Sequence, residues 1–128
     1  RNRLYDVVTA STLQHARRMI DLALRGRVIE WKWEKQGSRN VKSLEGAMGQ
    51  LDEIMTAHAL DAEDVVHQIH MELVGNRLML PDRLRTEMLN ALAECDIALR
   101  RTIHPRIQIE YFLHQVSIAG QRHGLSIQ

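Results

Sequence analysis

Cysteine occurs once, at Cys95, so no internal disulfide can staple this chain, and its apolar neighbours suit a reducing, cytoplasmic setting. Only 2 prolines and 7 glycines interrupt 128 residues, which excludes a Pro/Gly-rich disordered segment and leaves long stretches free to run as helix. Aromatics are 4% of the residues, so the core must be aliphatic, drawn from Leu, Ile, Val, Ala and 6 Met. Neither sign of charge is in excess. With 17 basic and 16 acidic residues the formal charge is +1, too weak a field to hold nucleic acid or an anionic membrane, so any such contact has to be local. No apolar run approaches the roughly 20 residues that span a bilayer, and no basic-apolar leader opens the chain. No G-x-x-x-x-G-K-[ST] loop is present to cradle nucleotide phosphates. The chain starts at Arg1-Asn2-Arg3 without an initiator Met and is expected to be a piece of a longer protein.

What is present reads as helix. Ser11-Thr12-Leu13-Gln14 fits a capping box, and Leu13, Ala16, Ile20, Ala23 and Leu24 recur at helical spacing as far as Gly26, a left-handed stop. Val28, Ile29, Trp31 and Trp33 are read as a short helix, followed by a flexible excursion near residues 32–43 with Gly37-Ser38 at its tip. Helical spacing returns from Ser43 through Leu44, Ala47, Met48, Leu51 and Ile54, weakened by Gly46 and Gly49. Asp61 and Asp64 start a helix that Gly75-Asn76 ends, and Pro81 and Pro105 each suit the first turn of another, the last leaving through Gly120 to Gly124. The expected fold is all-α, a compact bundle of five or six helices in one domain, with no strand and no internal repeat.

Several segments are more specific than their periodicity. Leu89-Asn90-Ala91-Leu92-Ala93-Glu94-Cys95-Asp96-Ile97-Ala98-Leu99-Arg100, followed by His104-Pro105-Arg106-Ile107-Gln108-Ile109-Glu110-Tyr111-Phe112-Leu113, resembles the last two helices of archaeal replication factor C small subunits. Ala62-Glu63-Asp64-Val65-Val66-His67-Gln68-Ile69-His70 resembles that family's Gly-Glu-Asp-Ile-Ile-x-Gln-Ile-His helix, and Ala16-Arg17-Arg18-Met19 through Gly26 its first collar helix. Two departures stand out: Ile103-His104-Pro105 replaces a Gly-Ala-Asn-Glu type of loop, and the stretch from about Trp31 to Leu44 is longer than the family pattern. The resemblance implies that residues 1–10, with Leu4-Tyr5-Asp6-Val7, link to an upstream ATPase region, and that residues 11–128 form the collar, the oligomerisation domain of a sliding-clamp loader. It further implies that this chain carries no catalytic residue and no cofactor of its own, ATP and Mg belonging to the full-length protein. Its partners would be the other small and large subunits in an oligomer, with the sliding clamp and primed DNA reached through the whole complex. No membrane contact is implied, and the location is cytoplasmic.

The residues themselves offer other chemistry, which weighs less. Glu63, His67 and His70 share one helical face, but no Cys cluster or H-E-x-x-H completes a metal set, and interhelical histidines explain the spacing. Cys95 lies between Leu92 and Leu99, where a thiol is a buried, inert hydrophobe; Glu94 and Asp96 point apart and suit ion pairs with arginines. Arg17, Arg18, Arg25 and Arg27, and likewise Arg100, Arg101 and Arg106, could meet phosphates, although interspersed acids favour a solvated face. Trp31 and Trp33, alternating with Lys32 and Glu34, suit base stacking, a partner pocket or burial. The last helix has more apolar positions than one bundle face can bury. Arg106, Ile107, Ile109, Glu110, Tyr111, Phe112, Leu113 and Val116 are therefore the expected subunit interface. The alternative function is a helical DNA-binding module of a regulator, with the helix from Pro105 to Gln121 reading a groove.

Overall fold

Apolar spacing of three and four puts most of the chain in helices, and the computed structural model, which describes residues 10–125, shows how they assemble. Helix α1 spans Ala10–Leu24, α2 Gly46–Thr56, α3 Ala62–Gly75, α4 Asp82–Leu99 and α5 Pro105–Arg122. Between α1 and α2, strands β1 (Glu30–Gln36) and β2 (Arg39–Glu45) form a two-stranded antiparallel sheet. The domain is thus predominantly α-helical, with five helices among the described residues. Of the expected linker over residues 1–10, only Ala10 is described and it is already helical; Leu4-Tyr5-Asp6-Val7 lies outside the described residues.

Helix ends follow local chemistry. Past α1, the Gly26 amide donates to the Ala23 carbonyl and the Arg27 amide to that of Leu22, a Schellman stop in which Gly26 takes φ +83°. At the start of α3 the Asp61 carboxylate accepts from the Asp64 amide at 2.9 Å while the Asp64 carboxylate accepts from the Asp61 amide at 3.3 Å. Asn76, at φ +50°, ends that helix. Ser11, expected as the cap of the first helix, instead lies inside α1.

Two expectations are corrected between α1 and α2. The short helix over Val28 to Trp33 and the flexible excursion near 32–43 are one paired β-hairpin, with Trp31 opposite Leu44, Trp33 opposite Lys42 and Gln36 opposite Arg39. The physical reason is a period of two: tryptophans alternate with Lys32 and Glu34, and two runs of equal length flank Gly37-Ser38. Positive φ at Gly37 (+64°) but not at Ser38 is the signature of a type II′ turn.

The helix expected from Ser43 begins at Gly46, because Ser43 and Leu44 belong to β2. Gly46 marks the junction rather than a weakness. At φ +77° it lets the Ala47 and Met48 amides donate to the Arg27 and Val28 carbonyls, both at 2.9 Å, which satisfies two amides that a helix start leaves orphaned. A Cβ at residue 46 would stand 2.7 Å from the Arg27 carbonyl oxygen. The base of the hairpin is therefore tied to α2 through backbone.

Helix α1 packs against α2, α3 and α5, and α4 against α3 and α5. The shared core is aliphatic apart from one ring: Met19, Ile20 and Ala23 meet Leu51 and Ile54, Ile69 and Leu73, Leu84 and Met88, and Ile109, Phe112, Leu113 and Val116. A largely buried ion pair joins two of these helices. Arg17 of α1 grips the buried Glu72 of α3 through Nε at 3.0 Å and Nη2 at 3.1 Å. Gly120, expected at the exit of the last helix, lies within α5 where that helix crosses the end of α1.

Candidate functional site

Helix α5 has two apolar faces. Pro105 starts it at a position where a missing amide costs nothing, and Ile109, Phe112, Leu113, Val116 and Ala119 then turn inward and are buried. Ile107, Tyr111 and Ile118, four and eleven residues along from the first, share the opposite stripe, and each is more than half exposed; Ile103 in the preceding loop is exposed as well. The expected interface set is thereby divided. Ile109, Phe112, Leu113 and Val116 belong to the chain's own core and are removed from it, because helical periodicity alone cannot say which of two apolar stripes is outermost. Ile107 and Tyr111 remain on the surface, with Arg106 and Glu110 half-buried beside them.

Arg106 donates through Nε to Glu110 at 2.8 Å and also pairs through Nη1 with Asp52 of α2, so it links α5 to the bundle. Burial works against its charge, but these two carboxylates outweigh it and raise its pKa. At the other end Arg122 reaches Glu87 of α4 at 3.1 Å, and His123 lies 3.4 Å from the same carboxylate; chiefly through Arg122, Glu87 is held below its ordinary range. Between these ends a groove of about 350 Å3 runs along α4 and α5, lined by Asn90, Tyr111, Gln115 and Ile118 among others. A helix meant to read a DNA groove would hold its cations free toward the duplex, whereas Arg106 and Arg122 are both engaged by carboxylates.

The remaining candidates fall elsewhere. Glu63, His67 and His70 line a groove of about 390 Å3 between α3 and α4 together with Leu89, Leu92 and Asp96. Among the described residues no three His, Cys, Asp or Glu side chains are placed to hold a metal ion. Cys95 is buried in the core, where desolvation, aided by Asp96, pushes its thiol up to about 11. Of the two arginine groups, Arg17, Arg25 and Arg27 pair with Glu72, Asp21 and Glu30, and Arg100 with Asp96. No helix among the described residues is long and apolar enough to cross a membrane.

Sequence reasoning missed the polar seam on the inner side of α3. Asp64, Gln68 and Glu72 are all buried, four residues apart, and Arg17 reaches the last of them. The signal was a polar stripe running beside the apolar one, at the same helical spacing.

Fold and surface together define a predominantly α-helical bundle domain that carries an apolar stripe outside its core and a β-hairpin between its first two helices. Residues 37–115 match the model of the Replication factor C C-terminal domain, and the chain belongs to that family. It is 23% identical over 121 residues to the Replication factor C small subunit of Sulfolobus acidocaldarius, covering 94% of this chain and 32% of that protein. Against the Replication factor C small subunit of Methanothermobacter thermautotrophicus the identity is 30% over 114 residues, covering 86% and 30%. The chain thus spans about a third of the length of the curated relatives it matches. No solved structure matches it.

Proposed function

We propose that this domain is the collar of a clamp loader subunit, the module through which subunits join into a ring and hold their ATPase regions in an arc. Residues 11–128 form the module and residues 1–10 the link to the ATPase region, where ATP and Mg act. The partners are other replication factor C subunits, small and large, and the assembled complex meets the sliding clamp and primed DNA in the cytoplasm. One observation carries the reading: the exposed stripe of Ile107, Tyr111 and Ile118 lies opposite the core face of α5, which is the pattern of a helix covered on both sides in an assembly. Burying one large apolar side chain from half exposure contributes about 1 kcal/mol, so three of them offset only part of the cost of association, and contacts along the groove beside them must supply the rest. Ring contacts are heterologous, so this stripe meets a different surface on its neighbour.

The test is Ile107→Asp together with Tyr111→Asp in the full-length subunit. Both side chains lie outside the core, so the thermal melt should hold while co-elution with partner subunits in size-exclusion chromatography is lost. Intact co-elution by the folded double variant removes this surface from the assembly.

A further inference from the structure

The two tryptophans of the chain stand side by side outside the core. Trp31 and Trp33 are both on β1, two residues apart and therefore on one face of the hairpin, and they are 51% and 65% exposed. The register puts Lys42 and Leu44 of β2 on that face, with Lys35 and Asn40 next toward the tip. The face therefore bears two lysines and no carboxylate, whereas Glu30, Glu34 and Glu45 all lie on the other. The Lys42 ammonium sits 4.0 Å from the centroid of the Trp31 ring and 5.8 Å from that of Trp33. Positions two apart on a strand are ~6.8 Å apart, about twice the 3.4 Å repeat of stacked bases, so the backbone spacing of the two tryptophans suits a base between their rings.

We propose that the Trp31–Trp33 face of the hairpin binds single-stranded nucleic acid, its indoles stacking on unpaired bases and Lys35 and Lys42 meeting the backbone phosphates. Stacking tolerates any base, and the flexible lysine can leave the rings for a phosphate without disturbing the backbone. A duplex presents its bases already stacked and offers these rings nothing comparable. The platform is held firmly. Arg27 and Glu30 form a two-pronged ion pair at the hairpin base (3.0 and 2.9 Å), Val28 is buried, and the backbone bonds to α2 described above fix its exit. Charge complementarity selects the occupant: an anionic, planar-ringed polymer fits a face of two indoles and two ammonium groups better than an uncharged protein surface does. This role is separate from the proposed collar contact, which lies on α5.

Because both tryptophans of the chain are on this face, intrinsic fluorescence reads it directly. Titrating the whole chain with oligothymidylate should quench that fluorescence to saturation, with an apparent affinity that falls as salt rises. Fluorescence anisotropy of a labelled oligothymidylate should show binding weakened about tenfold by Trp31→Ala or Trp33→Ala and less by Trp33→Phe, which keeps a ring. Lys42→Ala should weaken binding and flatten the salt dependence. Circular dichroism should show unchanged helix content in every variant, since Trp31, Trp33 and Lys42 are all exposed. Absence of quenching, binding left intact in the folded Trp31→Ala/Trp33→Ala variant, equal affinity for a duplex of the same length, or equal quenching by polyglutamate would each overturn the proposal.

Discussion

Replacing Gly120 by alanine tests the tightest contact in the fold. A Cβ there would stand 2.1 Å from the Leu24 carbonyl oxygen and 2.9 Å from its carbon, whereas ordinary contact begins near 3.4 Å. The obstacle is backbone at the end of α1, which cannot rotate aside as a side chain would, so α5 and α1 must separate by about 1 Å. A gap of that size forfeits ~25–50% of the dispersion attraction between the facing atoms. Overpacking of this kind costs about 3 kcal/mol at the unrelieved end of its range. Alanine's better helix propensity returns about 1 kcal/mol, leaving a net loss of about 2 kcal/mol. For a domain of this size that lowers Tm by about 8 °C, measurable by circular dichroism. Gly75 is the control: it also lies in a helix, with nothing within 4 Å of a Cβ, so Gly75→Ala should raise stability by about 0.5 kcal/mol. If Gly120→Ala proved as stable as Gly75→Ala, the close crossing of α1 and α5 would be wrong.

Arg17→Ala should cost about 2 kcal/mol in urea unfolding, less than a fully enclosed pair because water still reaches the guanidinium, but substantial because the buried Glu72 loses the Arg17 contact; an unchanged midpoint would refute the pairing. Cys95 sets an alkaline limit. Its ordinary value of 9.0 is raised to about 11 on folding, so the unfolded chain loses its proton first, and stability falls as pH rises from 9 toward 11. Denaturant melts across that range should show a decline that Cys95→Ala lessens, and the native thiol should resist a disulfide reagent at mildly alkaline pH while the unfolded chain reacts.

The apolar surface on α5 was legible in the number of its residues but not in their membership. Too many apolar residues for one buried face marked a helix with apolar side chains on two sides, yet Phe112 and Tyr111 are neighbours in sequence, one buried and the other exposed. Which stripe faces inward depends on where α1 and α4 sit. The hairpin was legible only in its alternation. Two tryptophans in a short apolar stretch fit a helix, a buried strand or an exposed one equally well, because hydropathy does not report what lies above a face.

Local chemistry along the chain determined the five helices, the Asp61–Asp64 capping box, the stops at Gly26 and Asn76 and the start at Pro105, since each depends on residues within one turn of one another. The resemblance carried by Ala62 to His70 and Leu89 to Leu113 likewise needed no coordinates. Only tertiary structure decided why Gly46 and Gly120 are glycines, because the carbonyls that exclude a Cβ belong to Arg27 and Leu24, far away in the sequence. Only it joined Arg17 to Glu72 across 55 positions, or showed Trp31 and Trp33 outside the core. Contacts between distant segments arise from how helices cross and what they bury together, and no pattern confined to one helix encodes them.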